Sequence, residues 1–276
     1  MRSAILLACT LLLIGCSTAN VGPIIDVHTH PEFAKGDRSL QEFDAQRAKA
    51  NVTFAIGILH TDDGNYPEPR ASRTVFCAGV DATPNLTTLE AGLQSKTYRC
   101  IKIYLGYVPL YAYDDVYQPV YGLAEKYDVP VIFHTGDTDS KKARLKFADP
   151  LTIDEVAVAH PNVRFVIAHC GNPWIESAAE VAYKNPNVYL DASAFLVGDM
   201  SRLPKEQVQR YVIDPIHWIF GYIEDPDKLM FGSDWPLVDI GPYAAAVRKA
   251  IPRQYWSKVF HDNAVRVFKL DPAELQ

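Results

Sequence analysis

The sequence predicts a (β/α)8 barrel of the TIM type, and three observations predict it. Eight apolar runs recur along one chain. Their starts lie about 20 to 40 residues apart, room for a strand and a crossover helix. Helix-capping signals fall between them. The runs cover residues 24–28 (IIDVH), 52–59 (VTFAIGIL), 74–80 (TVFCAGV), 100–106 (CIKIYLG), 129–134 (VPVIFH), 164–169 (RFVIAH), 187–193 (NVYLDAS) and 228–234 (KLMFGSD). They are apolar throughout, not alternating, as expected of parallel strands buried on both faces. Between them SLQE (39–42), TTLE (87–90) and TIDE (152–155) place Ser or Thr three residues before Glu, the form of a capping box. QPVYGLAEKY, IESAAEVAYK and YAAAVRKA carry helix-forming patterns, and Pro215 would start a second helix after the seventh strand. The Pro-rich residues 61–72 sit inside this alternation and read as a loop. A doubly wound open sheet is the alternative, but no glycine-rich phosphate fingerprint follows the first strand.

At 276 residues the chain can bury one large core. Its 48% hydrophobic and 22% charged residues are those of a globular protein. A net charge of −6 with no basic run argues against a nucleic-acid partner. A small-molecule substrate fits better, and the sequence leaves the oligomeric state open.

Residues 1–15 read as an export signal, with Arg2 followed by AILLACTLLLIG, an apolar stretch too short to span a bilayer comfortably. LIGC (13–16) resembles the lipobox of bacterial lipoproteins, with Cys16 as the lipidated residue and Ser17 directing the chain to the outer membrane, facing the periplasm. Residues 16–23 would form the anchor and a short linker, and 24–276 the barrel domain. A lipid anchor holds a domain at a membrane surface without spanning it. Cys77, Cys100 and Cys170 then remain, an odd number on separate strands, and read as small buried residues instead of a disulfide framework.

Barrel enzymes carry their chemistry at the C-terminal ends of the strands. His28 and His30 end the first strand one residue apart and share a face, because strand side chains alternate. With 8 His in the chain, about 0.23 such pairs arise by chance, so the pair alone decides little. His134 ends the fifth strand, His169 the sixth and Asp234 the eighth. Four imidazoles and a carboxylate on one rim suit Zn²⁺, with Mn²⁺ or Fe²⁺ less distinctive. His28 and His30 would form one jaw of the clamp. His60, His160, His217 and His261 have no evident partners in the sequence and read as surface or capping residues.

DVHTH, FHTG, IAHCGNPW, LMFGSDWP and the late DNAVRVF together resemble the amidohydrolase superfamily. The resemblance is to its amidohydrolase-related branch (amidohydrolase 2), which includes the aminocarboxymuconate semialdehyde decarboxylase group, and it spans nearly the whole chain after residue 23. It implies His28, His30 and His134 as metal ligands with Asp234 on the same metal, and His169 orienting the attacking water or the substrate oxygen. In other branches a strand-four lysine is carboxylated and bridges two metals; Lys102 stands at that place. The alternative is a lysine paired with a carboxylate inside the barrel, and a single ion is the preferred expectation. The branch that bridges its metals with a middle-strand glutamate finds no support, since residues 74–81 and 100–106 offer none.

The expected chemistry is hydrolysis of an amide, lactone or ester, with Asp234 taking a proton from water and returning it to the leaving group. Non-oxidative decarboxylation of an unsaturated or aromatic acid is the alternative, because one fold hosts both. A second alternative is a non-catalytic binding lipoprotein on the same scaffold. Lys142, Arg144 and Lys146 in SKKARLK offer a carboxylate-binding loop, although a solvated face is the preferred reading.

Overall fold

The structure, a computed structural model, describes residues 22–60 and 71–275. Residues 1–21, which hold the expected export signal and Cys16, and residues 61–70, within the expected Pro-rich loop, lie outside the described residues. Eight strands run parallel in sequential order: β1 (Ile24–Thr29), β2 (Val52–Ile58), β3 (Thr74–Val80), β4 (Tyr98–Ile103), β5 (Val131–Phe133), β6 (Phe165–Ile167), β7 (Val188–Asp191) and β8 (Leu229–Met230). Helices α1 (Leu40–Ala50), α2 (Leu86–Gln94), α3 (Gln118–Tyr127), α4 (Thr152–Ala159), α5 (Ile175–Lys184), α6 (Lys205–Val208), α7 (Asp214–Tyr222), α8 (Ile240–Ala250) and α9 (Asn263–Phe268) surround them.

The predicted barrel is the observed one. Ile25, Val27, Phe54, Ile56, Ile132 and Val166 fill its interior, while a larger apolar layer lies between the strands and the helices. Burial on both faces is what made the runs uniformly apolar. Closure is carried mostly by the backbone beyond the short β8. Val27 N donates to Phe231 O (3.0 Å), Asp234 N to His28 O (2.7 Å) and His30 N to Trp235 O (2.7 Å). This seam sets Asp234 beside the two histidines of β1.

Two details shape that seam. Three residue steps on β1, from Asp26 to Thr29, face two on β2, from Ala55 to Gly57, so β1 carries a bulge at His28. Bulges re-aim side chains beside active sites. Gly232 lets the strands approach: a Cβ there would lie 2.9 Å from that of His28 and 3.1 Å from that of Ser193.

Ser39 caps α1 as expected, accepting from Glu42 N at 3.2 Å, and Pro215 lies in the first turn of α7. Two caps differ from expectation. Asn85, not Thr87, caps α2, because its amide oxygen accepts from the N–H three residues on, that of Thr88. Thr152 is the first residue of α4 rather than its cap, and the preceding turn is held by Asp149, which accepts from Leu151 N. The cysteine expectation is corrected too. Cys77 and Cys100 form a disulfide, because their strands place them opposite each other in the β3–β4 register; among the described residues Cys170 is the free cysteine, and it is buried.

Candidate metal centre

The expected residues collect at the C-terminal rim. His28 Nε2 lies 3.6 Å and His30 Nε2 3.3 Å from Asp234 Oδ1, and the three form a group able to hold a cation. The far side of each ring is tied. His28 Nδ1 lies 2.9 Å from Asp191 Oδ2, and His30 Nδ1 lies 3.1 Å from Ile58 O. An ionised carboxylate and a carbonyl only accept, so both Nδ1 atoms carry a proton and both Nε2 atoms face Asp234. Oriented imidazoles beside a carboxylate are the donor set a divalent cation takes. The residues fit a metal.

Electrostatics point the same way. Burial, then the Lys102 ammonium, depresses the His28 imidazolium to about 3, so the ring is neutral at pH 7. Burial likewise pushes His134 and His169 below the usual imidazole range. Burial alone would raise the Asp234 carboxyl, but His28, His30 and His169 outweigh it and hold it below the carboxylate range. Asp234 therefore stays ionised at the centre of the group.

His169 stands beside His28, with ring centroids 4.8 Å apart, and 5.1 Å from His134. Its backbone is left-handed (φ 59°), as are those of Cys170 (φ 45°) and Asp234 (φ 70°). Non-glycine residues held there cluster at functional sites. His134 reaches the same rim, but its Nε2 donates to Asp137 O at 3.0 Å and does not converge on Asp234. Lys102 is fully buried on β4, its Nζ 3.5 Å from His28 Nε2, and burial lowers its ammonium to about 8.

Above the group opens a cavity of about 520 Å³ lined by Phe33, Arg38, Tyr104, Tyr107, Pro236 and Leu237 as well as the polar residues. A small molecule fits that volume. Lys142, Arg144 and Lys146 stay exposed, as the preferred reading of SKKARLK expected; Lys35 and Arg38, from the loop after β1, line the cavity instead.

Residues 65–270 match the amidohydrolase family Amidohydro_2. The chain belongs to this family. The match begins after β1, so His28 and His30 join the site through the fold. The amidohydrolase-family chain also superimposes on solved structures. One is an amidohydrolase from Burkholderia multivorans with bound zinc (16% identity, TM-score 0.65, covering 91% of this chain and 100% of that one). A second is a probable 2-pyrone-4,6-dicarboxylic acid hydrolase from Acinetobacter baumannii with citric acid bound (16%, 0.62, 90% and 100%). A third is 5-carboxyvanillate decarboxylase from Sphingomonas paucimobilis (12%, 0.59, 90% and 99%). At these identities the likeness is one of fold. No curated protein matches the chain.

The sequence reading missed three parts of the site. Asp191, fully buried, closes β7 just as His134 follows β5 and His169 follows β6, so the strand-end rule that found those histidines applied to it as well. Ser193 lies two residues further on. His60 is the third: it is exposed, as expected, yet it also lines the cavity. Its Nδ1 lies 2.6 Å from Glu32 Oε1, and its ring lies 4.4 Å from Tyr104 and 5.6 Å from His30 on the cavity wall. His160, His217 and His261 stay on the helices: His160 caps the end of α4, and His261 pairs with Asp262.

Proposed function

We propose that this chain is a metal-dependent hydrolase acting on an amide, lactone or ester of a small molecule. The observation that carries it is the convergence of His28 Nε2, His30 Nε2 and Asp234 Oδ1, with both far nitrogens tied down. His28, His30 and Asp234 would hold the ion, most simply one Zn²⁺; His134 would join them only by releasing Asp137 O. A divalent ion there supplies Lewis-acid polarisation and makes water a usable nucleophile near pH 7. Asp234, ionised at the seam, accepts the water proton at a carboxylate oxygen and returns it to the leaving group. His169 lines the same cavity and would orient the water or the substrate oxygen. The zinc in one solved relative, and the hydrolase name of another, support this reading.

A decarboxylase is the second reading. The rings of Phe33, Tyr104 and Tyr107 offer a wall for a planar acid, Arg38 a partner for its carboxylate, and one relative bears that name. Elemental analysis of the purified chain, then a panel of lactones, esters, amides and unsaturated acids, tests both. Stoichiometric zinc with water-dependent cleavage is the expected result. CO₂ release without hydrolysis would give the second reading, and no metal with no turnover would leave a binding scaffold.

The ion count turns on Lys102. A protonated ammonium 3.5 Å from His28 Nε2 repels a cation on that nitrogen. It must therefore shed its proton or become a carboxylated bridge between two ions. With one ion, the parent and Lys102→Ala should both contain about one metal per chain. Two in the parent and one or none in the variant would establish the bridge.

The chain is further proposed to be exported and anchored through Cys16 to the outer membrane, facing the periplasm. The Cys77–Cys100 disulfide supports an oxidising compartment. Among the described residues no helix is long and apolar enough to cross a membrane. Cys16→Ser should abolish acyl labelling and membrane association while the barrel still folds. Unchanged labelling would sink the anchor.

A further inference from the structure

We propose that Asp191 is the positioning residue of this site, one carboxylate that fixes the tautomers of two imidazoles and holds the backbone turn of one of them. The part concerning metal affinity rests on the reading of His28 as a ligand. Asp191 closes β7 and is fully buried. Oδ2 accepts from His28 Nδ1 at 2.9 Å. Oδ1 accepts from His169 N and Ser193 N, both at 3.1 Å, and from Ser193 Oγ. Four donors from three separate strand ends therefore meet on one carboxylate.

The consequences follow from donor rules. Ser193 Oγ spends its proton on Asp191 Oδ1, so toward His169 Nδ1, 2.8 Å away, it is an acceptor. His169 thus carries its proton on Nδ1 and keeps the Nε2 lone pair free, as His28 does by direct contact. The bond from His169 N pins the left-handed turn that swings the ring onto the rim. Without a fixed acceptor an imidazole divides between two tautomers, and only one of them offers Nε2.

Two substitutions separate the limbs. In Asp191→Asn the Oδ1 side, facing three donors, must remain the carbonyl oxygen. The amide NH₂ then meets His28 Nδ1, which can pair with it only by becoming an acceptor and moving the proton to Nε2. Ser193→Ala removes one hydroxyl, leaves His28 on Asp191, and frees His169 Nδ1. The readout is ¹⁵N NMR of histidine-labelled, metal-free protein, in which the two tautomers have distinct nitrogen shifts, with zinc titrated in parallel.

The parent should show His28 and His169 as Nδ1–H. Asp191→Asn should move His28 to Nε2–H and weaken zinc binding by about 10- to 100-fold, the usual effect of losing such a partner. Ser193→Ala should change His169 alone and leave zinc affinity within about threefold. His28 remaining Nδ1–H in Asp191→Asn, or zinc affinity there matching the parent, would overturn the proposal. If Asp191→Asn does not fold, Ser193→Ala decides: an unchanged His169 overturns it. A parent that shows both rings as Nδ1–H but binds no zinc keeps the positioning role and removes the metal reading instead.

Discussion

Replacing His28 with alanine should empty the metal site and lower turnover by at least about 10³-fold, while leaving a folded barrel. Lewis-acid polarisation contributes several kcal/mol to such reactions, and each ~1.4 kcal/mol is a factor of ten. His28 supplies one of the two oriented Nε2 atoms, and the bulge on β1 aims it. The structural cost is separate. The ring is buried, so its loss leaves a cavity and removes one of four donors from Asp191, a cost of about 2–4 kcal/mol. A domain has roughly 5–15 kcal/mol of stability, so the variant should stay folded with Tm lowered by roughly 5–15 °C. Elemental analysis, circular dichroism melting and turnover on any accepted substrate check the three parts. A folded His28→Ala protein that keeps parental zinc would remove His28 from the ligand set.

The strands were legible because burial on both faces leaves a one-dimensional trace, an unbroken apolar run. The His28–His30 pair was legible because alternation along a strand is local, and Asp234 because it sits where the eighth run stops. What stayed hidden depends on pairing across the barrel. Asp191 meets His28 across 163 residues, and Glu32 meets His60 across 28; no local pattern encodes either contact. The Cys77–Cys100 bond needs the β3–β4 register, since two cysteines pair only when their Cβ vectors converge. The helix starts missed by one or two residues have a different cause. Asn85 and Thr87 are competing acceptors close in sequence, and the backbone entering α2 selects between them.

Asp234→Asn should keep the fold and most of the metal, yet lower kcat by about 10²-fold or more, the range expected for losing a general acid–base group. Asparagine is the informative replacement because Asp234 is left-handed (φ 70°), a conformation Asn and Asp adopt more readily than most other residues. Its backbone bond to His28 O is untouched, so the β8–β1 seam stays closed. The amide oxygen can still face His28 and His30 as a weaker ligand, but at neutral pH it cannot take a proton. The parent carboxylate can, and its carboxyl lies below the ordinary carboxylate range. Loss of kcat with little change in KM would mark a group acting on the reacting atoms rather than on substrate binding. Measuring zinc content beside kcat separates proton transfer from ligation: parental metal with ~1% turnover assigns the proton to Asp234, whereas a parallel loss of both makes it chiefly a ligand. If the variant keeps its metal and near-parental turnover, the proton passes through another group, and His169, with Nδ1 held by Ser193 and Nε2 free, is the one placed to carry it.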